Sequence, residues 1–242
     1  MKIEGRNSVY ELLKTDKEID KILVQKDLRD DASKRLLNVI KSHRVKVQLV
    51  DKFVIDKESE SKHSQGFIAF TSDYKYFDLS DVTESVRDKD GLIVILNEIL
   101  DPHNLGSIIR VCECAGVDGI IISKDRSASV NDTVMRISEG ALNHIKVARV
   151  TNINNAIKEL KDEGFWIYAA ELGGGEMYKC DLTGKIAIVI GGEDSGVKQL
   201  TKKNCDGIIS IPMFGKVNSL NASVACGVVV YEAVRQRLKK GN

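Results

Sequence analysis

From Gly91 onward the chain alternates between short runs that are apolar throughout and longer stretches whose apolar residues recur every three or four positions. The runs GLIVIL, DGIIIS, HIKVARV, FWIYAAEL, KIAIVIG and GIISIPM predict strands. Between them, SIIRVCECAG closed by Gly116, NDTVMRISEGAL, and NINNAIKELKDEG closed by Gly164 predict helices. Strands with no polar face, separated by helices, predict a mostly parallel sheet covered on both sides, and hence an α/β domain.

Residues 1–75 carry a smaller alternation of the same kind. A helix is predicted at NSVYELLKT, a strand at KILVQK, a helix at ASKRLLNVIKS, and strands at KVQLVD and QGFIAFTS. This predicts a second, small α/β domain. The intervening YKYFDLSDVTESVRDKD holds eight charged residues in seventeen and little periodicity, which predicts a linker over 76–89 and a larger domain over 90–242.

The final strand run leads through a short loop into a helix marked by Leu220, Val224, Val228, Tyr231, Val234 and Leu238. Its entry is crowded with Asn218, Ser219 and Asn221. A helix start has unpaired backbone N–H groups, so these residues read either as caps, with Asn218 or Ser219 accepting, or as part of a ligand site.

Composition narrows the classes of partner. Across 242 residues, 36 basic and 35 acidic side chains leave a net charge of +1, so an RNA partner has to be read locally. SKRLLNVIKSHRVK gathers Lys34, Arg35, Lys41, Arg44 and Lys46, a pattern of either a solvated helix face or an RNA contact. No apolar run approaches the roughly 20 residues that span a bilayer. The polar opening MKIEGRNSVYELLK has no signal-peptide core, so the expected location is cytoplasmic. The five cysteines, at 112, 114, 180, 205 and 226, form no CxxC pair and have no histidine at zinc spacing, so reduced, packed thiols and no metal are expected.

Three segments past predicted strand ends carry the candidate chemistry. In NEILDPHNLGSIIRVCECAG, Asn104 can cap the following helix and Arg110 lies farther along it. In IAIVIGGEDSGV, Gly191 and Gly192 admit a ligand close to the backbone, and Glu193 and Asp194 precede a helix expected over 197–204. This is neither a Walker A loop nor a GxGxxG fingerprint, which disfavours a nicotinamide-dependent oxidoreductase. The third segment, ISIPMFGKVNSLNASVA, supplies Ser219 and Asn221. Open α/β sheets bind ligands beyond the carboxyl ends of their strands, so the three segments together predict a polar site for a multifunctional ligand.

In order and spacing, NEILDPHNLGSIIR, IVIGGEDSG and ISIPMFGKVNSLNASVA resemble the three motifs of the SpoU (TrmH) family of RNA ribose 2'-O-methyltransferases, a likeness covering about residues 90–242. The N-terminal part, with KHSQGFIAF, resembles the substrate-binding domain of the subgroup containing the 23S ribosomal RNA guanosine 2'-O-methyltransferase. The resemblance implies a SPOUT-type parallel sheet with a trefoil knot that binds S-adenosylmethionine, in a homodimer acting on RNA without a metal. Physics of connections alone predicts an unknotted sheet. Carried over position by position, the functional residues are Asn104, Arg110, Glu193, Ser219 and Asn221, with the donor's adenosine against Gly191, Ile211 and Leu220.

The same resemblance sets Arg110 beside the nucleophile. A guanidinium is a poor base, so it is expected to clamp the developing alkoxide and a phosphate while Ser219 or a phosphate oxygen relays the proton. Small residues from Ala222 to Gly227 allow close helix packing, by default within the chain. His63 and Gln65 are candidate nucleotide contacts. The alternatives are a transfer-RNA ribose target, or a noncatalytic RNA-binding or ribosome-assembly protein on the same fold.

Overall fold

The computed structural model describes residues 2–15, 19–28, 30–43, 45–61, 63–71, 74–192, 196–217 and 219–240. It divides into two compact units, 1–75 and 76–242.

The first unit runs β1 (Lys2–Glu4), α1 (Arg6–Leu12), β2 (Ile19–Gln25), α2 (Asp31–Ser42), β3 (Val47–Val50), α3 (Lys52–Glu58), β4 (Phe67–Thr71). Its four-stranded sheet has the order β1-β4-β2-β3, with only β2 and β3 parallel. Val9 and Leu12 of α1 and Leu36 and Ile40 of α2 bury against Ile22 and Phe67 of the sheet. Apolar residues at helical spacing fit α2 for this role, and Asp30 caps it by accepting from the Ser33 amide at 2.9 Å. The sequence pattern did not reveal β1 or α3, which are too short to show a period.

The second unit runs α4 (Leu79–Glu84), β5 (Leu92–Asn97), α5 (Pro102–Cys114), β6 (Gly119–Ser123), α6 (Asp132–Ile137), β7 (Lys146–Val150) and α7 (Ile153–Asp162). It continues with β8 (Trp166–Glu176), β9 (Ile186–Gly191), α8 (Gln199–Asn204), β10 (Gly207–Ser210) and α9 (Ala222–Lys240). Six strands form one fully parallel sheet in the order β10-β8-β9-β5-β6-β7. Every residue of β5 is buried, as the unbroken apolar run requires of a strand covered on both faces.

Within the stretch expected as a linker, α4 contributes Leu79 and Val82, with Val86 just beyond it, to the core around Ile93, Ile121 and Ala148. The charges that hide this short helix are partly its capping groups: the Asp78 amide donates to the Asp81 carboxylate at 2.9 Å.

Two helix boundaries also differ from the sequence pattern. Helix α5 starts at Pro102 rather than Ser107, because Asp101 caps it and proline suits the first helical position. The helix expected over 131–142 stops at Ile137, where Glu139 (φ +46°) and Gly140 (φ +88°) turn the chain left-handed.

Helix α9 starts at Ala222, so Leu220 precedes it. The apolar stripe that signalled this helix points outward, with Val224 51%, Tyr231 48% and Leu238 69% exposed. Its buried face is made of Ala222, Cys226, Val229, Val230 and Ala233. Small side chains there bring α9 close to α5: a Cβ on Gly227 would stand 3.3 Å from Val111. Close packing by the small residues is thus satisfied within the chain.

Candidate active site

A cavity of about 440 Å³ opens at the carboxyl ends of β9 and β10, against the middle of β8. Strands β9 and β10 follow each other in the sequence yet flank β8 on opposite sides, so their connections diverge above the sheet and leave a crevice. The volume lies within the roughly 300–1,000 Å³ of small-ligand sites.

One wall comes from the end of β9. Gly191 is level with Asn97 at the end of β5, and a Cβ on Gly191 would run into the backbone of Gly196 and Val197. Only glycine allows this close approach, and the Gly196 amide donates to the Gly192 carbonyl at 3.0 Å. Glu193 lies outside the described residues.

A second wall comes from β8, whose pairing with β10 jumps from Ala169–Ile208 to Gly175–Ile209. The residues between bow out and place Ala170, Glu171 and Leu172 on the cavity. Glu171 is anchored there by accepting from the Val197 amide at 2.8 Å, with the Lys202 ammonium 3.7 Å away. Gly174 permits the approach: a Cβ would come within 2.5 Å of the Ile208 carbonyl oxygen.

The third wall is the chain from β10 into α9, contributing Ile211, Met213, Ser219, Leu220, Ala222 and Ala225. The expected donor-site residues Gly191, Ile211 and Leu220 therefore line one cavity together with Ser219. Most of this lining is apolar, and Glu171 gives it a carboxylate.

Asn221 caps α9, a role the sequence assigned to Asn218 or Ser219; Asn218 lies outside the described residues. Its side-chain oxygen accepts from the Ser223 amide at 2.9 Å and the Ser223 hydroxyl at 2.6 Å. Its amide nitrogen donates to the side-chain oxygen of Asn104 at 2.9 Å. Asn104 is buried in the first turn of α5 and does not cap it; Asp101 does, accepting from the His103 amide at 2.9 Å. Asn104 and Asn221 thus tie the starts of two helices together beside the cavity. Deeper in the same packing, Cys112 and Cys226 stand 3.9 Å apart, both buried. The neighbouring thiol and burial push the Cys112 thiol up, which keeps it protonated.

Arg110 does not line the cavity formed by its own chain. It is half exposed and paired with Glu139 at 2.9 Å. The pairing follows from tight α5–α6 packing, where a Cβ on Gly106 would meet Ile137 at 2.8 Å, and from the left-handed turn at Glu139. The sequence pattern did not single out Glu139. It also missed Glu171, whose only advance signal was the glycine run 173–175. At the rim, Glu98 (φ +65°) holds Lys198 at 2.9 Å and Arg126 at 3.6 Å.

In the first unit, Gln65 caps α1 by accepting from the Arg6 amide at 3.1 Å, which gives it a structural role, while His63 is exposed. Lys34, Arg35 and Lys41 lie on the exposed face of α2; Arg44 is outside the described residues. Among the described residues no group of three or more His, Cys, Asp or Glu is placed to hold a metal, and no helix is long and apolar enough to cross a membrane.

Comparison with known proteins gives a consistent pattern. Residues 91–231 match the SpoU rRNA Methylase family, and residues 2–77 match the family described as RNA 2'-O ribose methyltransferase substrate binding. A protein of Staphylococcus saprophyticus, named a candidate TrmH family tRNA/rRNA methyltransferase, is 42% identical over 97% of this chain and 95% of its own. The SpoU methyltransferase AviRb from Streptomyces viridochromogenes, solved in complex with the cofactor AdoMet, superposes with a TM-score of 0.64. That alignment has 24% identity and covers 99% of this chain and 91% of AviRb. The A. aeolicus TrmH/SpoU tRNA modifying enzyme superposes at a TM-score of 0.58 with 31% identity, covering 67% of this chain and 84% of that one.

Proposed function

We propose that this chain, which belongs to the SpoU methylase family, transfers a methyl group from S-adenosylmethionine to a ribose 2'-hydroxyl of RNA, with a guanosine of 23S ribosomal RNA as the favoured target. The observation that carries this reading is the cavity at the ends of β9 and β10, walled by the middle of β8. Its apolar faces at Ile211 and Leu220 suit a flat base, its glycine turn leaves backbone accessible at Gly191, and its carboxylate at Glu171 suits a cation. These features fit S-adenosylmethionine, which when bound supplies an electrophilic methyl on a sulfonium whose positive charge is lost as the methyl leaves.

Positioning is the main contribution of the protein to such a reaction. The Asn104–Asn221 bond holds the start of α9, and so the Ser219 segment just before it, against α5. Ser219 or an RNA phosphate oxygen relays the proton of the 2'-hydroxyl, and Arg110 stabilises the developing alkoxide and an adjacent phosphate. Glu193 orients Arg110 or the substrate.

Arg110 performs this role in the cavity of a second copy, in a homodimer. Two features support that arrangement: Arg110 is absent from the lining of its own cavity, and Val224, Tyr231 and Leu238 leave an apolar stripe of α9 exposed. In the same reading, residues 1–75 bind RNA, and the SPOUT-type, knotted catalytic domain, expected over 90–242, also takes in α4, whose Leu79 and Val82 sit in its core. The exposed basic face of α2 supports RNA binding by the first part. A transfer-RNA ribose is the rival target, supported by the 31% identity to the A. aeolicus tRNA modifying enzyme.

The test is transfer of labelled methyl from S-adenosylmethionine to total RNA, followed by alkaline hydrolysis. Ribose methylation removes the hydroxyl that alkali uses, so label is expected in resistant dinucleotides from RNA of 23S size. Label confined to mononucleotides overturns the ribose assignment, and label in transfer RNA redirects the substrate. In the same assay Arg110→Lys is expected to lose most turnover, and near-normal turnover with an unchanged pH profile contradicts the clamp.

A further inference from the structure

The loop 211–217 between β10 and α9 has two faces. Ile211 and Met213 turn into the cavity, whereas Phe214, the next residue, is 97% exposed. Leaving a phenylalanine in water forgoes the gain of burying its ring, and this one directly follows a residue of an apolar cavity wall in the chain. Gly215 follows with nothing within 4 Å of where its Cβ would stand, and Lys216 beyond it is exposed. An uncovered aromatic ring, an open glycine and a cation therefore follow one another directly after Met213, a residue of the cavity wall.

We propose that Phe214 is a stacking platform for an unpaired base of the RNA substrate, with Lys216 meeting the adjoining phosphate. The inference rests on the reading that this chain methylates RNA, and it assigns a specificity-determining residue within that reading. Bases splayed from an RNA stack on aromatic side chains. A ring joined directly to the cavity wall through Met213 holds a nucleotide so that its ribose faces the cavity. Stacking is tolerant of base identity, so Phe214 selects unpaired over paired RNA, and discrimination among bases belongs to other groups.

The experiment compares Phe214→Leu, Phe214→Ala and Phe214→Tyr in methyl transfer to total RNA, with S-adenosylmethionine affinity and solution mass measured alongside. Leu and Ala are expected to raise the KM for RNA about tenfold, and Tyr to restore it to within about twofold, with donor affinity and mass unchanged. Leu performing as well as Tyr overturns the proposal, because an aliphatic contact would then suffice. A change of solution mass in Ala and Leu also overturns it, since the ring would then pack against a second copy; weakened donor binding would make it part of the cavity wall. Should the wild type transfer no methyl at all, the function reading fails separately. Fluorescence of Phe214→Trp in a Trp166→Phe chain then decides the present point: quenching on titration with single-stranded RNA supports stacking, and unchanged emission with RNA bound overturns it.

Discussion

Asn221 uses one amide for two purposes, capping α9 with its oxygen and holding Asn104 with its nitrogen. The sequence showed a crowded polar helix start but not which residue served it, because Asn218, Ser219 and Asn221 all suit a cap and only the position of Ala222 in the first turn decides among them. Glu4 shows the same limit more strongly. Nothing in KIEG marks it, yet it accepts from the Ser59 hydroxyl at 2.7 Å, the Glu60 amide at 2.6 Å and both the amide and the hydroxyl of Ser61. Burial opposes its ionisation, but these donors outweigh it and hold the carboxyl at about 2, below the ordinary 4.5.

Because the folded value is the lower one, the stabilisation is complete above about 4.5 and is lost as pH falls through about 2. Glu4→Gln is therefore expected to lose about 1 kcal/mol at pH 7, after allowance for solvent screening, and to flatten the acid dependence below pH 4.5. Hydrogen exchange at Glu60 and Ser61, compared at pH 7 and pH 3, measures this. Equal protection in the two proteins at pH 7 would contradict it.

At the scale of elements, strands were the most legible features, since β5 and β9 are buried along nearly their whole length and are apolar except at Asn97, which closes β5. Helix α9 was legible as a helix, but its larger apolar residues marked the exposed side. The buried side is built from alanine, cysteine and valine so that α5 can approach. The bow in β8 was hidden because it depends on partner strand β10, not on local pattern. Gly174 is the residue through which that bow is held. Gly174→Ala would drive a methyl into the Ile208 carbonyl and is expected to destabilise the chain by about 1–3 kcal/mol. Gly184→Ala, at φ +73° with open space around it, should cost only about 1 kcal/mol. Thermal unfolding of the two variants distinguishes them, and equal shifts would refute the close approach.

For the molecule as a whole, the division into two α/β units was readable from two separate alternations, whereas α4 was not, because a helix of this length shows no period and its charges resemble a linker. Four of the residues singled out in the sequence, Gly191 from the end of β9 and Ile211, Ser219 and Leu220 from the segment after β10, line one cavity, which is proposed as the donor site. Arg110, singled out in the sequence, is paired with Glu139, a partner that no sequence pattern marked. If this cavity receives S-adenosylmethionine, calorimetric titration of the donor into the wild type and Leu220→Arg will show it. Leu220 is 39% exposed, so arginine is tolerated by the fold while setting a cation in a site proposed to hold a sulfonium. One bound donor per wild-type chain and at least tenfold weaker binding in the variant are predicted; no binding to the wild type, or equal affinity in both, would contradict the account.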